Sequence, residues 1–276
     1  MKSKTLARLL TSLGTLLAMG ALLAASAVAD TPAPGYEEFA GCPSPSENPT
    51  IEACLVSTIN GGHFQMGSKD VPITNPITLS AGISGIDGSL IPNSKGGLTP
   101  VKQQVPGGII GLTGLDWLVN FLSLEGLKLY AVTELAGKPG NPLIEDPFSL
   151  PIKVHLINPV LGNNCYVGSS SNPIKLNLTV GTTNPPPPNE PISGKNPEVV
   201  LDPTREGVIL SNNGVFVDNS FAAPAASGCV LTLFGFIPIS INGLVNSQSD
   251  LPSPAGTNET IQEFDGALSF PSVVYP

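Results

Sequence analysis

Apolar and polar residues alternate along several short segments of this chain, with the period of two that is typical of β-strands. In the clearest segments, leucine, isoleucine and valine alternate with lysine, asparagine, threonine or histidine. Such alternation places one face of a strand in a core and the other face in water. The pattern predicts strands over residues 77–83, 127–135, 152–156, 174–180, 208–210, 215–217 and 261–270.

Turn and cap signals predict the elements between these strands. Residues 63–73 are expected to form a hairpin, because two apolar segments flank the turn sequence Gly67-Ser68-Lys69-Asp70. Asn48-Pro49 resembles a helix start, which predicts a short helix over residues 50–56. Thr113 predicts a second helix reaching Phe121. The predicted fold class is therefore mainly β, an antiparallel β-sandwich with short helical excursions.

Two segments depart from the alternation because they are apolar and almost without charge. Residues 107–124 contain Asp116 as their one charged residue, and residues 219–249 contain none. Pro238 and several glycines interrupt the second segment, which argues against a membrane-spanning helix. Exposed apolar stretches promote aggregation, so the sequence predicts that the regions around Trp117 and Phe234 are buried together.

The first 29 residues have the three parts of an export signal. A basic start with Lys2, Lys4 and Arg8 precedes an apolar stretch, and Ala27-Val28-Ala29 offers a small-x-small cleavage site. The predicted organisation is a signal peptide over 1–29, a Pro-rich leader and spacer over 30–41, and a single β-rich domain over 42–276. No transmembrane segment is expected after cleavage, and the protein is expected to be secreted, extracellular or associated with the cell envelope.

The charge balance limits the partners. Loss of the three basic residues of the signal peptide changes the formal charge from −9 to −12, with 21 acidic residues unaffected. Arg205 is then the one remaining arginine, so a surface that neutralises phosphates is not expected and nucleic acid is excluded as a partner. The 30 glycines and 29 prolines, with few charged residues, are typical of a turn-rich extracellular protein rather than a disordered one.

Four cysteines, Cys42, Cys54, Cys165 and Cys229, lie after the predicted cleavage site. An even number in an exported chain predicts two disulfides, for which three pairings exist. The closeness of the first two cysteines in sequence favours Cys42–Cys54 with Cys165–Cys229. A zinc site is the weaker interpretation, because the spacing of the cysteines does not fit a zinc ribbon. No metal and no cofactor are predicted.

The chain offers no recognisable catalytic motif. His63 and His155 both fall on the polar side of strand patterns, which favours solvent-facing histidines. The segment Gly82-Ile83-Ser84-Gly85-Ile86 lacks the final glycine of a lipase elbow. A pair of carboxylates across a cleft would suffice for a glycosidase, and the candidate acids are Asp87, Asp116, Glu134, Glu145, Asp146, Asp202, Glu206, Asp218, Glu263 and Asp265.

Several short motifs resemble those of a group of secreted actinobacterial proteins of unknown function. They are Cys42-Pro43 with Cys54, the Gly-Gly-x-Phe motif from Gly61 to Phe64, the sequence from Cys165 to Ile174, and Leu176-Asn177-Leu178-Thr179. The resemblance implies export and disulfides. It supplies no catalytic residue, because the group has no assigned activity.

The missing motifs favour a non-catalytic secreted protein with a binding or structural role at or outside the cell envelope. One alternative is an extracellular carbohydrate-active hydrolase that uses a carboxylate pair. The other is a binder of a hydrophobic ligand or lipid, so the candidate partners are a cell-envelope component and a hydrophobic ligand. A polar cleft with two converging carboxylates would favour the hydrolase, and an apolar cavity between the charge-poor segments would favour the binder.

Overall fold

The computed structural model describes residues 30–120, 122–233 and 237–276, and its fold is mainly β, as predicted. The predicted signal peptide, residues 1–29, lies outside the described residues. The strands are β1 (Ile51–Met66), β2 (Lys69–Pro72), β3 (Ile77–Ser84), β4 (Leu90–Ile91), β5 (Gly97–Leu98), β6 (Lys102–Gln104), β7 (Tyr130–Leu135), β8 (Phe148–Ile157), β9 (Tyr166–Val167), β10 (Ile174–Leu178), β11 (Glu198–Leu201), β12 (Ile209–Asp218), β13 (Ala226–Ser227), β14 (Val230–Leu233), β15 (Ile237–Ser240) and β16 (Glu259–Ser269). The helices are α1 (Gly108–Thr113), α2 (Asn242–Ser249), α3 (Pro271–Val274) and two 3₁₀ helices, Glu37–Gly41 and Asp116–Asn120.

Two antiparallel sheets pack against each other as a sandwich. Sheet A has the order β11-β12-β16-β1-β3-β4, with β2 beside β1 and β5 beside β3. Sheet B has the order β13-β9-β8-β7-β6, with β10 beside β8, while β14 and β15 form a separate hairpin. The main hydrophobic cluster joins the sheets, and it includes Phe216 and Phe264 of sheet A with Ile152 and Leu176 of sheet B.

The clearest alternating segments form strands whose apolar face is buried, as predicted. The segment 127–135 differs, because its strand β7 begins at Tyr130 and the buried residue of that strand is Val132, on the face opposite Ala131 and Leu135. In β8 the inward residues Ile152, Val154 and Leu156 are all buried. In β10 the buried leucines and isoleucine alternate with exposed Lys175 and Asn177. Each large aliphatic side chain removed from water in this way contributes about 1.5–3 kcal/mol. The segments 208–210 and 215–217, predicted as separate strands, are joined within the single strand β12.

The hairpin predicted over residues 63–73 is also confirmed. Met66 of β1 pairs with Lys69 of β2 across the turn. Gly67 adopts a φ of 54°, a conformation that favours glycine. A Cβ atom at this position would collide with the carbonyl oxygen of Ser249, so the turn requires glycine on two grounds.

The two predicted helices are wrong. Residues 51–56 belong to β1, where Cys54 pairs with Gly82 of β3 and with Ser269 of β16. Asn48 caps a turn instead, since its Oδ1 accepts hydrogen bonds from the Thr50 N–H (3.0 Å) and hydroxyl (2.7 Å). The helix-start signal of Asn48-Pro49 is local, and the pairing of β1 with β3 on one side and β16 on the other outweighs it.

The second predicted helix, from Thr113 to Phe121, is divided. α1 ends at Thr113, because Gly114 has a φ of 69° and terminates it. A 3₁₀ helix follows over Asp116–Asn120, with Leu118 as its buried residue. Trp117 is 44% exposed, so the prediction that it lies in the core is wrong. Phe234 lies outside the described residues.

The leader is part of the folded domain and not a spacer. Phe39 is fully buried in a second cluster with Cys42, Cys54 and Val274 on the outer face of sheet A. The Ala33 N–H donates to the Val274 carbonyl at 2.8 Å. Burial of Phe39 contributes about 1.5–3 kcal/mol to holding the leader against the sheet.

Both predicted disulfides are present. Cys42 is bonded to Cys54, and Cys165 is bonded to Cys229. All four residues are fully buried. Among the described residues, no helix is long and apolar enough to cross a membrane. Two disulfides are consistent with an extracellular protein.

Tyr275 connects the C-terminus to the leader, and its titration gives a test of that contact. Its hydroxyl donates to the Cys42 carbonyl at 2.7 Å, and burial raises its pKa to about 12. An unfolded tyrosine ionises near pH 10, so the folded state holds this proton more tightly. We therefore expect the free energy of unfolding to decrease as the pH rises from about 10 to about 12.

The variant Tyr275→Phe is expected to lack this step and to be less stable at pH 7 by about 1 kcal/mol, the contribution of one hydrogen bond. Urea unfolding of both proteins between pH 7 and pH 12 measures the difference. Tyr130→Phe serves as a control on the outer face of sheet B. An equal loss of stability above pH 10 in wild type and Tyr275→Phe would contradict the prediction.

Candidate ligand groove

An apolar groove lies where sheet A extends past the main cluster at the Ile51 end of β1. Ile59 packs against the main cluster, whereas Leu55 belongs to a separate one. Leu55 pairs with Leu268 of β16, and Leu268 pairs with Ile209 of β12. Since paired residues share a face of a sheet, these three side chains form a continuous apolar floor.

Small side chains give the groove its depth. In the next row of the same face, Ser57 pairs with Gly266, and Gly266 pairs with Ser211. All three line the cavity, whose volume is about 380 Å³. A protein cavity that takes a small molecule has a volume of about 300–1,000 Å³, so the groove is large enough for one.

The wall of the groove is the loop that leads into β8. Pro142 and Leu143 of this loop line the cavity, together with Phe148, the first residue of β8. Buried Asn141 fixes the loop, since its Nδ2 donates to the Gly88 carbonyl (2.7 Å) and its Oδ1 accepts from the Leu143 N–H (2.9 Å). The Asn141 side chain therefore anchors the wall to the loop between β3 and β4.

Three phenylalanines close the inner end of the groove. Phe216 stacks on Phe264 with ring centroids 3.9 Å apart, and Phe148 meets the Phe216 ring edge-on at 5.0 Å. All three line the cavity and belong to the main cluster. The aromatic trio thus connects sheet A, sheet B and the groove.

The outer end of the groove opens onto an exposed apolar edge. Strand β11 is at the edge of sheet A, and Val199 and Leu201 face the same side as the floor because they pair with Ser211 and Ile209. Leu201 is 76% exposed, and Leu143 is exposed as well. Contiguous exposed apolar surface on a folded monomer commonly marks a binding site.

Two carboxylates, Glu145 and Asp146, are the charged groups in the lining of this cavity. Both are exposed. No side-chain hydrogen bond or ion pair joins either of them to another described residue. They face solvent at the rim, and the floor beneath them is apolar, which does not fit the polar cleft that a glycosidase requires.

Another cavity, of about 60 Å³, lies within the sandwich between Ile59, Ile152 and Leu176. This volume is too small for an organic ligand of ordinary size, since ligand cavities have volumes of about 300–1,000 Å³. The groove, and not the space between the sheets or between the charge-poor segments, is therefore the apolar cavity that fits a ligand.

A second carboxylate pair, Glu263 and Asp265, lies in a polar depression on the outer face of sheet A. Asp265 Oδ1 accepts from the Asn213 N–H and Oδ2 accepts from Asn60 Nδ2, both at 2.8 Å. Asn60 and Asn213 sit at register shifts in β1 and β12. Asp265 thus holds two bulges in place, a structural use of its two oxygens.

The remaining candidate acids are dispersed. Hydrogen bonds from Ser89 and Ser84 lower the pKa of Asp87 to about 2. Hydrogen bonds from Thr204 and Arg205 hold the pKa of Asp202 well below its usual range. A general acid needs a raised pKa, so neither fits that role. Glu134 forms an ion pair with Lys153, and its Oε1 lies 3.5 Å from His155 Nδ1. Asp116 begins a 3₁₀ helix, and Glu206 precedes β12. Buried Asp218 accepts hydrogen bonds from Asn177 and Ser220.

Both histidines lie on strand surfaces beside carboxylates. His63 Nδ1 is 2.8 Å from Asp70 Oδ1, and His155 Nδ1 is 3.5 Å from Glu134 Oε1. The His155 ring stacks on Tyr166 with centroids 4.3 Å apart. Within the described part of the chain, no group of three or more histidine, cysteine, aspartate or glutamate side chains is arranged to hold a metal ion.

The sequence did not reveal the groove. Its lining residues come from β1, the loop before β8, β11, β12 and β16, and no periodic pattern connects them. One local signal was present: Leu143-Ile144 and Val199-Val200-Leu201 are apolar runs within turn-rich sequence. The chain matches no protein-family model, no curated protein and no solved structure.

Proposed function

We propose that this protein is exported, acts outside the cell or at the cell envelope without catalysis, and binds an apolar ligand in the groove. The observation that carries the proposal is the 380 Å³ groove with an apolar floor, an aromatic inner end and an exposed apolar mouth. Burial of the leucine, isoleucine and phenylalanine side chains of the lining would favour binding by about 25 cal/mol for each Å² of apolar surface that a ligand covers. The predicted signal peptide, the disulfides and the resemblance to secreted actinobacterial proteins support the location.

A substitution that fills the groove tests this function. Ser211 lies on the floor beside Gly266, so a phenylalanine at this position would occupy the space that the ligand needs. Ser149 of β8 is exposed on the outer face of sheet B and provides a matched control. The probe is N-phenyl-1-naphthylamine, an uncharged apolar molecule whose fluorescence increases when it leaves water.

We expect the wild-type protein to bind the probe, Ser211→Phe to bind it at least about tenfold more weakly, and Ser149→Phe to bind it as the wild type does. Fluorescence titration gives the dissociation constants, and the thermal midpoint of each variant shows that it is folded. Equal affinities of Ser211→Phe and wild type would place the probe elsewhere and refute the assignment of the groove. Absence of binding by the wild type would refute it as well.

A further inference from the structure

The end of the sandwich opposite the groove is covered by short elements of the two charge-poor segments. We call this region the apolar cap; it comprises residues 108–120, 122–124, 230–233 and 237–249. Lys69 Nζ donates to the Gly111 carbonyl at 2.8 Å, and the Ser68 N–H donates to the Ser249 carbonyl at 3.1 Å. These contacts attach α1 and α2 to the β1–β2 turn, at the Met66 end of β1.

The apolar cap has an inner face and an outer face, and both are apolar. On the inner face, Ile109, Leu112, Leu118 and Val245 are buried in the main cluster. On the outer face, large apolar side chains remain exposed, namely Trp117, Val119, Leu124, Ile237, Ile239 and Leu244. The inner contacts already fix the apolar cap to the sandwich. Packing of the core therefore does not explain why the outer face also carries large apolar side chains.

The composition of the apolar cap differs sharply from that of the rest of the chain. The chain carries a formal charge of −9, yet Asp116 is the one charged residue of the cap sequence. A lipid surface favours tryptophan and large aliphatic side chains at the level of the headgroups. The outer face of the apolar cap carries both kinds of side chain, and it is far poorer in charge than the rest of the chain.

The shape of the cap agrees with this chemistry. Trp117, Val119 and Leu124 project from a 3₁₀ helix and the turn that follows it, and they line none of the cavities described above. Side chains that project from short turns can enter a bilayer surface to a shallow depth, which a groove cannot do. We infer that the apolar cap docks on the surface of an uncharged lipid bilayer and inserts Trp117, Val119 and Leu124 among the headgroups.

The charge of the chain determines which lipid surface is suitable. An acidic protein is repelled by anionic lipids within about one Debye length of the membrane. Apolar insertion into a zwitterionic surface meets no such repulsion. The inference does not depend on the groove, because the two sites lie at opposite ends of β1.

Sedimentation with vesicles tests the inference on the full mature chain. The vesicles are pure phosphatidylcholine, and the variants are Leu124→Asp and, as a matched control, Ile86→Asp. Leu124 and Ile86 are 82% and 80% exposed, respectively. Gly85, next to Ile86, bonds to Thr50 just before β1, which places the control at the groove end of the sandwich.

We expect the wild type and Ile86→Asp to sediment with the vesicles, and Leu124→Asp to bind at least about tenfold more weakly. The emission of Trp117, the one tryptophan of the chain, is expected to shift to shorter wavelength when vesicles are added to the wild type. Addition of phosphatidylglycerol to the vesicles is expected to weaken binding at low salt.

Three results would overturn the inference. The first is a wild type that remains in the supernatant with unchanged Trp117 emission. The second is a loss of binding in Ile86→Asp as large as that in Leu124→Asp. The third is a wild-type dimer in sedimentation velocity that Leu124→Asp dissociates, which would mean that a second copy of the chain, and not lipid, covers the apolar cap.

Discussion

Replacement of Cys165 and Cys229 by alanine is expected to reduce the free energy of unfolding by about 4 kcal/mol, and replacement of Cys42 and Cys54 by about 3 kcal/mol. The Cys165–Cys229 disulfide spans 64 residues, and the Cys42–Cys54 disulfide spans 12. In the chain-entropy model, the longer loop restricts the unfolded chain more strongly. Alanine is the appropriate substitution, because all four positions are fully buried and an unpaired serine hydroxyl there would add its own penalty.

Loss of the longer disulfide should also loosen the apolar cap. The Cys229 carbonyl accepts the Ile241 N–H at 3.0 Å, and its N–H donates to Asn242 Oδ1 at 2.8 Å. Both partners lie at the start of α2. Hydrogen exchange in α2 should therefore rise in Cys165→Ala/Cys229→Ala and not in Cys42→Ala/Cys54→Ala.

Urea unfolding under non-reducing conditions gives the free energies of unfolding of both double variants. A larger loss of stability from Cys42→Ala/Cys54→Ala would contradict the loop-length argument.

Strands with uninterrupted alternation were predictable, because burial on one face fixes their register. In β8 and β10, a shift of one residue would move Ile152 or Leu176 from the core into water. The disulfide pairing followed from the even number of cysteines and the short first interval. These features are local, or they depend on counts that the sequence contains.

Strand β1 and the groove were not predictable for the opposite reason. Strand β1 begins beside a cap signal at Asn48-Pro49 and contains Gly61-Gly62, so its local pattern is not that of a long strand. Its conformation depends on pairing with β16, more than 190 residues away in sequence at Thr260 and His63. Strand β11 is short and lies between Pro197 and Pro203, which conceal its apolar run among turn signals. A groove assembled from such elements becomes visible only when the register of sheet A is known.

The substitution Phe216→Ala is expected to reduce the free energy of unfolding by about 3–5 kcal/mol, the cost of replacing a buried phenylalanine by alanine. Phe216 lies between Phe264 of sheet A and Phe148 of sheet B, so its loss removes both ring contacts of the aromatic trio. The resulting space would open directly into the groove, since all three rings line it. Phe270→Ala is the matched control, because Phe270 is 52% exposed and its loss should cost less than about 0.5 kcal/mol.

The same pair of variants links the stability of the sandwich to the groove. If the aromatic trio forms the inner end of the groove, Phe216→Ala should change the affinity for N-phenyl-1-naphthylamine, whereas Phe270→Ala should leave it unchanged. Phe216→Leu keeps most of the buried volume and should recover most of the stability. Chemical denaturation and probe titration of the three variants measure both quantities. A loss of less than about 1 kcal/mol in Phe216→Ala would mean that the sheets do not depend on this contact, because truncation of a buried phenylalanine typically costs about 3–5 kcal/mol.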